Sequence, residues 1–145
     1  MVQKCLEINE RLGNEHGAAG THHQLGIVAQ LRRQFEQAEQ SYKKSLEINE
    51  RLGNEHGAAS TYHQLGIVAQ QRQQFDDATG RLIQAGQRFV KFNDPQNCRK
   101  TMFVYLRVSR EQMNTTDRVK LALRWVEAGL PEIPDEVFQA AEESK

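Results

Sequence analysis

The sequence predicts an all-α fold, a solenoid of antiparallel helix pairs, and three observations predict it. Residues 6–30 recur at 46–70 with only Gly20/Ser60 and His22/Tyr62 differing. Apolar and small residues return at three- and four-residue spacing, as along Ala58, Tyr62, Leu65 and Ala69, which is the mark of one buried helical face. No stretch of useful length alternates with period two, so strands are not expected.

The duplication has an offset of 40, and the linking stretches 31–45 and 71–85 correspond more loosely. A third copy is weaker: Phe92-Asn93-Asp94 stands where Leu52-Gly53-Asn54 stood, and Thr101 where Thr61 stood. Val2-Gln3-Lys4-Cys5-Leu6 matches Tyr42-Lys43-Lys44-Ser45-Leu46. The chain therefore opens inside a unit and reads as a piece of a longer array. A helix pair of this size cannot cover its own apolar face, and stacking such pairs supplies the missing surface.

Each unit reads as two helices joined by short loops. Gly53-Asn54, and likewise Gly13-Asn14, is a glycine stop followed by an N-cap, with Glu55 in the first turn favoured by the helix dipole. The second helix runs from about Gln34 to Leu52, with Phe35, Ala38, Tyr42, Ser45, Ile48 and Leu52 inward. Gly26 and Gly66 sit in mid-helix, where glycine costs about 1 kcal/mol relative to alanine. Close approach of the partner helix explains them.

In the third unit Asp94 caps and Pro95 starts a helix to about Met113, following the preference for proline at the first helical position. A helix from about Asp117 to Ala128 follows, then Gly129, Pro131 and Pro134 interrupt, and Pro134-Asp135-Glu136 starts a last short helix. The 117–128 segment lacks the Phe-x-x-Ala step and reads as a cap in which Trp125 closes the core. The expected organisation is residues 1–13 as the second helix of a truncated repeat, 14–53 as repeat 1 and 54–93 as repeat 2. Residues 94–113 are then the first helix of a degenerate repeat 3, and 114–145 the capping helices with an acidic tail.

Tyr62, Leu65-Gly66 and Ala69, then Ala78, Leu82 and Ala85, resemble the tetratricopeptide repeat signature. The matching first-unit set is His22, Leu25-Gly26, Ala29, Ala38, Tyr42 and Ser45, and the resemblance covers roughly residues 2–112. The usual unit has 34 residues; the 40-residue period resembles the long variety of kinesin light chains and many bacterial multidomain regulators. The resemblance implies a right-handed superhelix whose first helices line a concave groove for peptides or protein segments. By position, the groove-facing residues are His23, Ile27, Gln30 and Leu31 in the first unit. Ser60, His63, Ile67, Gln70 and Gln71 follow in the second, and Lys100, Phe103, Arg107 and Arg110 in the third. One subgroup of the family grips a carboxylate terminus with Lys and Asn. Here Gln24, Gln64 and Val104 depart from that pattern and only Lys100 matches, so chaperone-tail binding is not expected.

Composition sets outer bounds. Nineteen basic and nineteen acidic residues balance to zero, which argues against a dedicated nucleic-acid binder. Mean hydropathy is -0.72 and no apolar run approaches a membrane span. Cys5 and Cys98 form no disulfide framework, so reduced thiols and a cytoplasmic location are expected. His22 and His23 are adjacent and cannot share a helix face, so neither a metal nor another cofactor is expected. No nucleophile elbow or phosphate-binding loop is present, and the Gly-Asn-Glu-His-Gly stretch at 13–17 and 53–57 reads as an inter-unit turn. The expectation is a non-catalytic scaffold or sensor module that binds a protein partner. The alternative is self-association through open repeat ends, by helix swapping or end-to-end stacking. Charge is uneven: Arg81, Arg88, Lys91, Arg99, Lys100, Arg107 and Arg110 oppose the single Asp94, and the end is acidic. These are either solvated faces, or a basic patch for an acidic partner segment or for the chain's own tail.

Overall fold

The computed structural model describes residues 2–11 and 14–144. Among them run eight helices and no strand: α1 (Val2–Arg11), α2 (Glu15–Leu31), α3 (Phe35–Leu52), α4 (Glu55–Gln71), α5 (Phe75–Lys91), α6 (Pro95–Met113), α7 (Arg118–Glu127) and α8 (Asp135–Glu143). Neighbours in sequence pack together, α2 on α3, α4 on α5 and α5 on α6, and each pair stacks on the next through α3 and α4. The protein is an all-α solenoid of antiparallel helix pairs, closed at its C-terminal end by α7 and α8.

Local chemistry sets the helix ends. The side chains of Asn14, Asn54 and Asp94 accept hydrogen bonds from the backbone N–H of Gly17, Gly57 and Asn97. Each satisfies a donor that the first turn leaves orphaned. Gly53 terminates α3 at φ 71°, as the glycine stop predicts. The corresponding Gly13 lies outside the described residues. Three further turns carry no glycine: Arg33 and Gln73 hold φ values of 58° and 60°, and Asn93 holds 53°. At all four turns the next residue's N–H reaches five residues back: Gln34 to Ala29, Asn54 to Asn49, Gln74 to Ala69 and Asp94 to Phe89. That is the hydrogen bond of a Schellman stop, and it recurs every 20 residues from α2 to α5.

The core lies between paired helices. Ala38, Leu82, Ala85 and Trp125 are fully buried. A Cβ on Gly66 would stand 2.7 Å from Leu82 Cγ, and one on Gly26 2.5 Å from the Tyr42 ring, so the mid-helix glycines do let the partner helix approach. Gly86 does the same for Trp125, at 2.6 Å. The indole N–H of Trp125 donates to the Pro131 carbonyl at 3.0 Å, so this large side chain is buried without an orphaned polar atom. α8 then packs on α6 and buries Val137, Phe138 and Ala141.

Candidate interaction groove

The first helices α2, α4 and α6 carry the residues on which the expected groove depends. His23 and His63 occupy equivalent places, and each reaches the unit that follows. His23 Nδ1 lies 3.1 Å from Thr61 Oγ1, and His63 Nδ1 lies 2.9 Å from Thr101 Oγ1. Each threonine hydroxyl gives its one proton to a carbonyl four residues back, Gly57 for Thr61 and Asn97 for Thr101. With that proton so placed the threonine oxygens accept, which favours the tautomer carrying the proton on Nδ1. Nε2 remains an acceptor. Burial lowers the pKa of both histidines below the ordinary 6.5, and the nearby Lys100 lowers His63 further. Both rings are neutral at neutral pH.

A cavity of about 300 Å³ opens over this pair, lined by His23, Ser60, His63, Gln64, Phe89, Asn97 and Lys100. Lys100 is exposed, and among the described residues it forms no ion pair. The cavity therefore offers a cation beside neutral acceptors. Beyond it, Gln70, Arg107, Arg110, Glu111, Ala141 and Ser144 line a second recess of about 250 Å³.

The other expected residues divide between surface and scaffold. Gln30 accepts from Tyr42 at 2.7 Å and donates to Gln71 at 3.1 Å, so its amide ties α2 to α3 and α4. Ile27 is half-buried against the cluster around Tyr42, Leu65 and Val68. Ile67 and Gln70 are half-buried on α4. Phe103 is half-buried on α6 and packs against the main core, with the Arg107 guanidinium 5.8 Å from its ring centre. Arg110 donates to the Ala141 carbonyl at 2.7 Å in the last turn of α8, where a cation suits the helix dipole. That contact makes Arg110 a fastening for the cap.

The basic stretch is less open than its sequence implies. Arg88 lies 3.0 Å from Glu50 and 4.5 Å over the Tyr62 ring, and the Tyr62 hydroxyl itself donates to Glu50 at 2.8 Å. Arg81 pairs with Asp77, Lys91 with Glu55, and Arg99 with Glu136. In the acidic end, Glu142 and Asp135 both hold Arg118 of α7, at 2.8 and 3.4 Å. Sequence reasoning missed Glu50, Glu55 and Glu136 because they lie about a full unit from Arg88, Lys91 and Arg99. The available signal was that Glu50 and Glu55 precede Arg88 by roughly one repeat.

Among the described residues no group of three His, Cys, Asp or Glu side chains could hold a metal ion. Among the same residues no helix is long and apolar enough to cross a membrane. A family model described as "Tetratricopeptide repeat" matches residues 17–85. No curated protein and no solved structure matches the chain.

Proposed function

From a chain that carries tetratricopeptide repeats over residues 17–85, a family that generally mediates protein–protein interaction, we propose a non-catalytic module that binds an acidic peptide segment along α2, α4 and α6. The cavity joining His23 and His63 to Lys100 carries this reading. A partner's carboxylate would meet Lys100, and its backbone N–H groups would donate to the imidazole Nε2 atoms. Ile27, Ile67 and Phe103 offer apolar contact beside them, and Gln30, Gln70 and Arg107 the polar rim. Arg110 contributes at the edge, where one of its N–H groups already serves the cap. On its 40-residue period we read the repeat as the long variety, with a scaffold or sensor role in a cytoplasmic, bacterial setting.

Selection of a displayed random-peptide library tests it. Acidic peptides should be enriched, and Lys100→Glu should weaken them about tenfold, or about 1.4 kcal/mol. Enriched peptides that bind Lys100→Glu and His63→Ala as tightly as the parent would reject the groove. A second reading, self-association, rests on Val28 and Leu31, exposed at 37% and 80% near the end of α2. A molar mass that stays monomeric across a concentration series would remove it.

A further inference from the structure

The cavity over His63 has a twin one unit earlier. A recess of about 280 Å³ is lined by Gly20, His23 and Gln24 of α2, by Asn49 of α3, and by Gly57 and Ser60 of α4. Forty residues on, the same places are held by Ser60, His63, Gln64, Phe89, Asn97 and Lys100, and all six line the cavity of about 300 Å³ beside Lys100. The two recesses adjoin, since His23 and Ser60 line both. Histidine and glutamine are common to the pair, so their chemistry divides at the other four places. Phe89 gives the second recess an aromatic wall and Lys100 gives it a cation. In the first, Asn49 stands in place of the phenylalanine and Ser60 in place of the lysine. Gly57 there is required, because a Cβ would lie 2.9 Å from Asn49 Oδ1.

Asn49 is 5% exposed. Its Oδ1 accepts from Asn54 Nδ2 at 3.2 Å and its Nδ2 donates to Ser45 Oγ at 3.4 Å. Those bonds use one N–H and one lone pair of a group that has two of each. Resting on the groove reading above, we propose that the bound segment carries two unlike residues: an Asn or Gln whose carboxamide pairs with Asn49, and an Asp or Glu that meets Lys100. A carboxamide both donates and accepts, so it answers the Asn49 amide with two bonds. A carboxylate cannot donate, and among the described residues the lining of the first recess holds no lysine or arginine to attract it. The second recess reverses that preference through Lys100. Stacked helices lie about 8–10 Å apart and an extended chain advances about 3.3 Å per residue, which sets the two anchors about three residues apart. Reading two different side chains in adjacent recesses also rejects a segment that carries them in the wrong order.

A displayed random-peptide library, selected in parallel on the whole chain and on three variants, is the test. On the parent, enriched peptides should carry Asn or Gln at about three residues from Asp or Glu. Replacing that Asn or Gln with Ala in a selected peptide should weaken binding about tenfold. Ser60→Lys copies Lys100 into the first recess, at a place whose equivalent already carries lysine in this fold. It should switch the enriched Asn or Gln to Asp or Glu, giving two acids at the same spacing. Asn49→Leu should lose the carboxamide and keep the acid, and Lys100→Glu should lose the acid and keep the carboxamide. A circular dichroism spectrum and melt like the parent's show that each variant is folded, and Ser60→Lys decides the matter should Asn49→Leu fail to fold. Acidic peptides with no Asn or Gln at that spacing would overturn the inference and leave the groove standing, as would a carboxamide preference that survives Ser60→Lys unchanged. Peptides that bind the parent and all folded variants alike would remove the groove itself, and the inference with it.

Discussion

Gly66→Ala tests the packing that holds a unit together, because two effects of known size oppose each other at one atom. Helix propensity favours alanine over glycine by about 1 kcal/mol. Against it, the new Cβ would lie 2.7 and 2.8 Å from Leu82 Cγ and Cδ2, and 3.3 Å from the Ala78 carbonyl oxygen. Carbon atoms rest at roughly 3.5–4.0 Å, so α4 and α5 must part by about 1 Å or Leu82 must leave its rotamer. Leu82 is fully buried, and in a close-packed interior neither movement is free. Overpacking of this kind costs about 1–3 kcal/mol. The upper part of that range applies, because one of the crowded atoms belongs to the backbone.

The net expectation is a loss of about 1–2 kcal/mol, or a Tm lower by about 3–6 °C for a chain of this size. Gly80→Ala supplies the contrast, since nothing lies within 4 Å of a Cβ there. It should gain up to about 1 kcal/mol from propensity alone. Thermal and urea melts followed at the helical band measure both. In a Leu82→Ala background the two shortest contacts are gone and only the 3.3 Å approach to the Ala78 carbonyl oxygen remains, so Gly66→Ala should cost much less, a non-additivity expected of residues in contact. A Gly66→Ala protein that melts at or above the parent would refute the close-approach account.

Two other outcomes follow from the same coordinates. His23 and His63 have pKa values held below 6.5 by burial. The unfolded chain therefore binds the extra protons first, and stability present in full above about pH 6.5 is lost as pH falls through that value toward the folded pKa. Melts from about pH 8 to about pH 5 should show this decline, and His23→Gln with His63→Gln should flatten it; a parent Tm constant over that span would contradict the burial of neutral rings. Gln73 holds a left-handed backbone at φ 60°, a conformation that costs a side-chain-bearing residue roughly 1–2 kcal/mol. Gln73→Gly should raise stability by about 0.5–1 kcal/mol after the entropy of the freer unfolded chain is subtracted, and a urea midpoint below the parent's would count against it.

Much of the fold was legible because local rules and the repeat agree. Asp94-Pro95 predicted a helix from Pro95, and α6 spans Pro95–Met113. Gly53-Asn54 predicted a stop and a cap, and both are present. Trp125 was expected to close the core and is fully buried. The turns at Arg33 and Gln73 were not legible, because their positive φ is imposed by the Schellman hydrogen bond and by helix packing rather than by a permissive residue. The candidate groove was legible only in part. Position within the repeat nominated His23, His63 and Gln30, but it could not say that each already spends part of its hydrogen-bonding capacity on a neighbour. A charge count along Arg81–Arg110 likewise could not see Glu50, Glu55 and Glu136, which meet that stretch in space.

Those partners share one arithmetic feature. His23–Thr61, His56–Asp94, His63–Thr101 and Arg88–Glu50 each join residues 38 apart, just under the 40-residue period. Each bond is therefore a nearest-neighbour contact between stacked units, and in such an array stability approximates a sum of unit and interface contributions. The two histidine bonds are chemically alike but unequally placed. Thr61 and Thr101 are both fully buried, but the His63 bond lies beside the main core cluster and the His23 bond beside the smaller one around Tyr42. Losing the His63 bond loosens the junction between α4 and α6, while losing the His23 bond loosens that between α2 and α4. The two histidine substitutions should accordingly differ in cooperativity as well as in size, with the His63 change broadening the melt more.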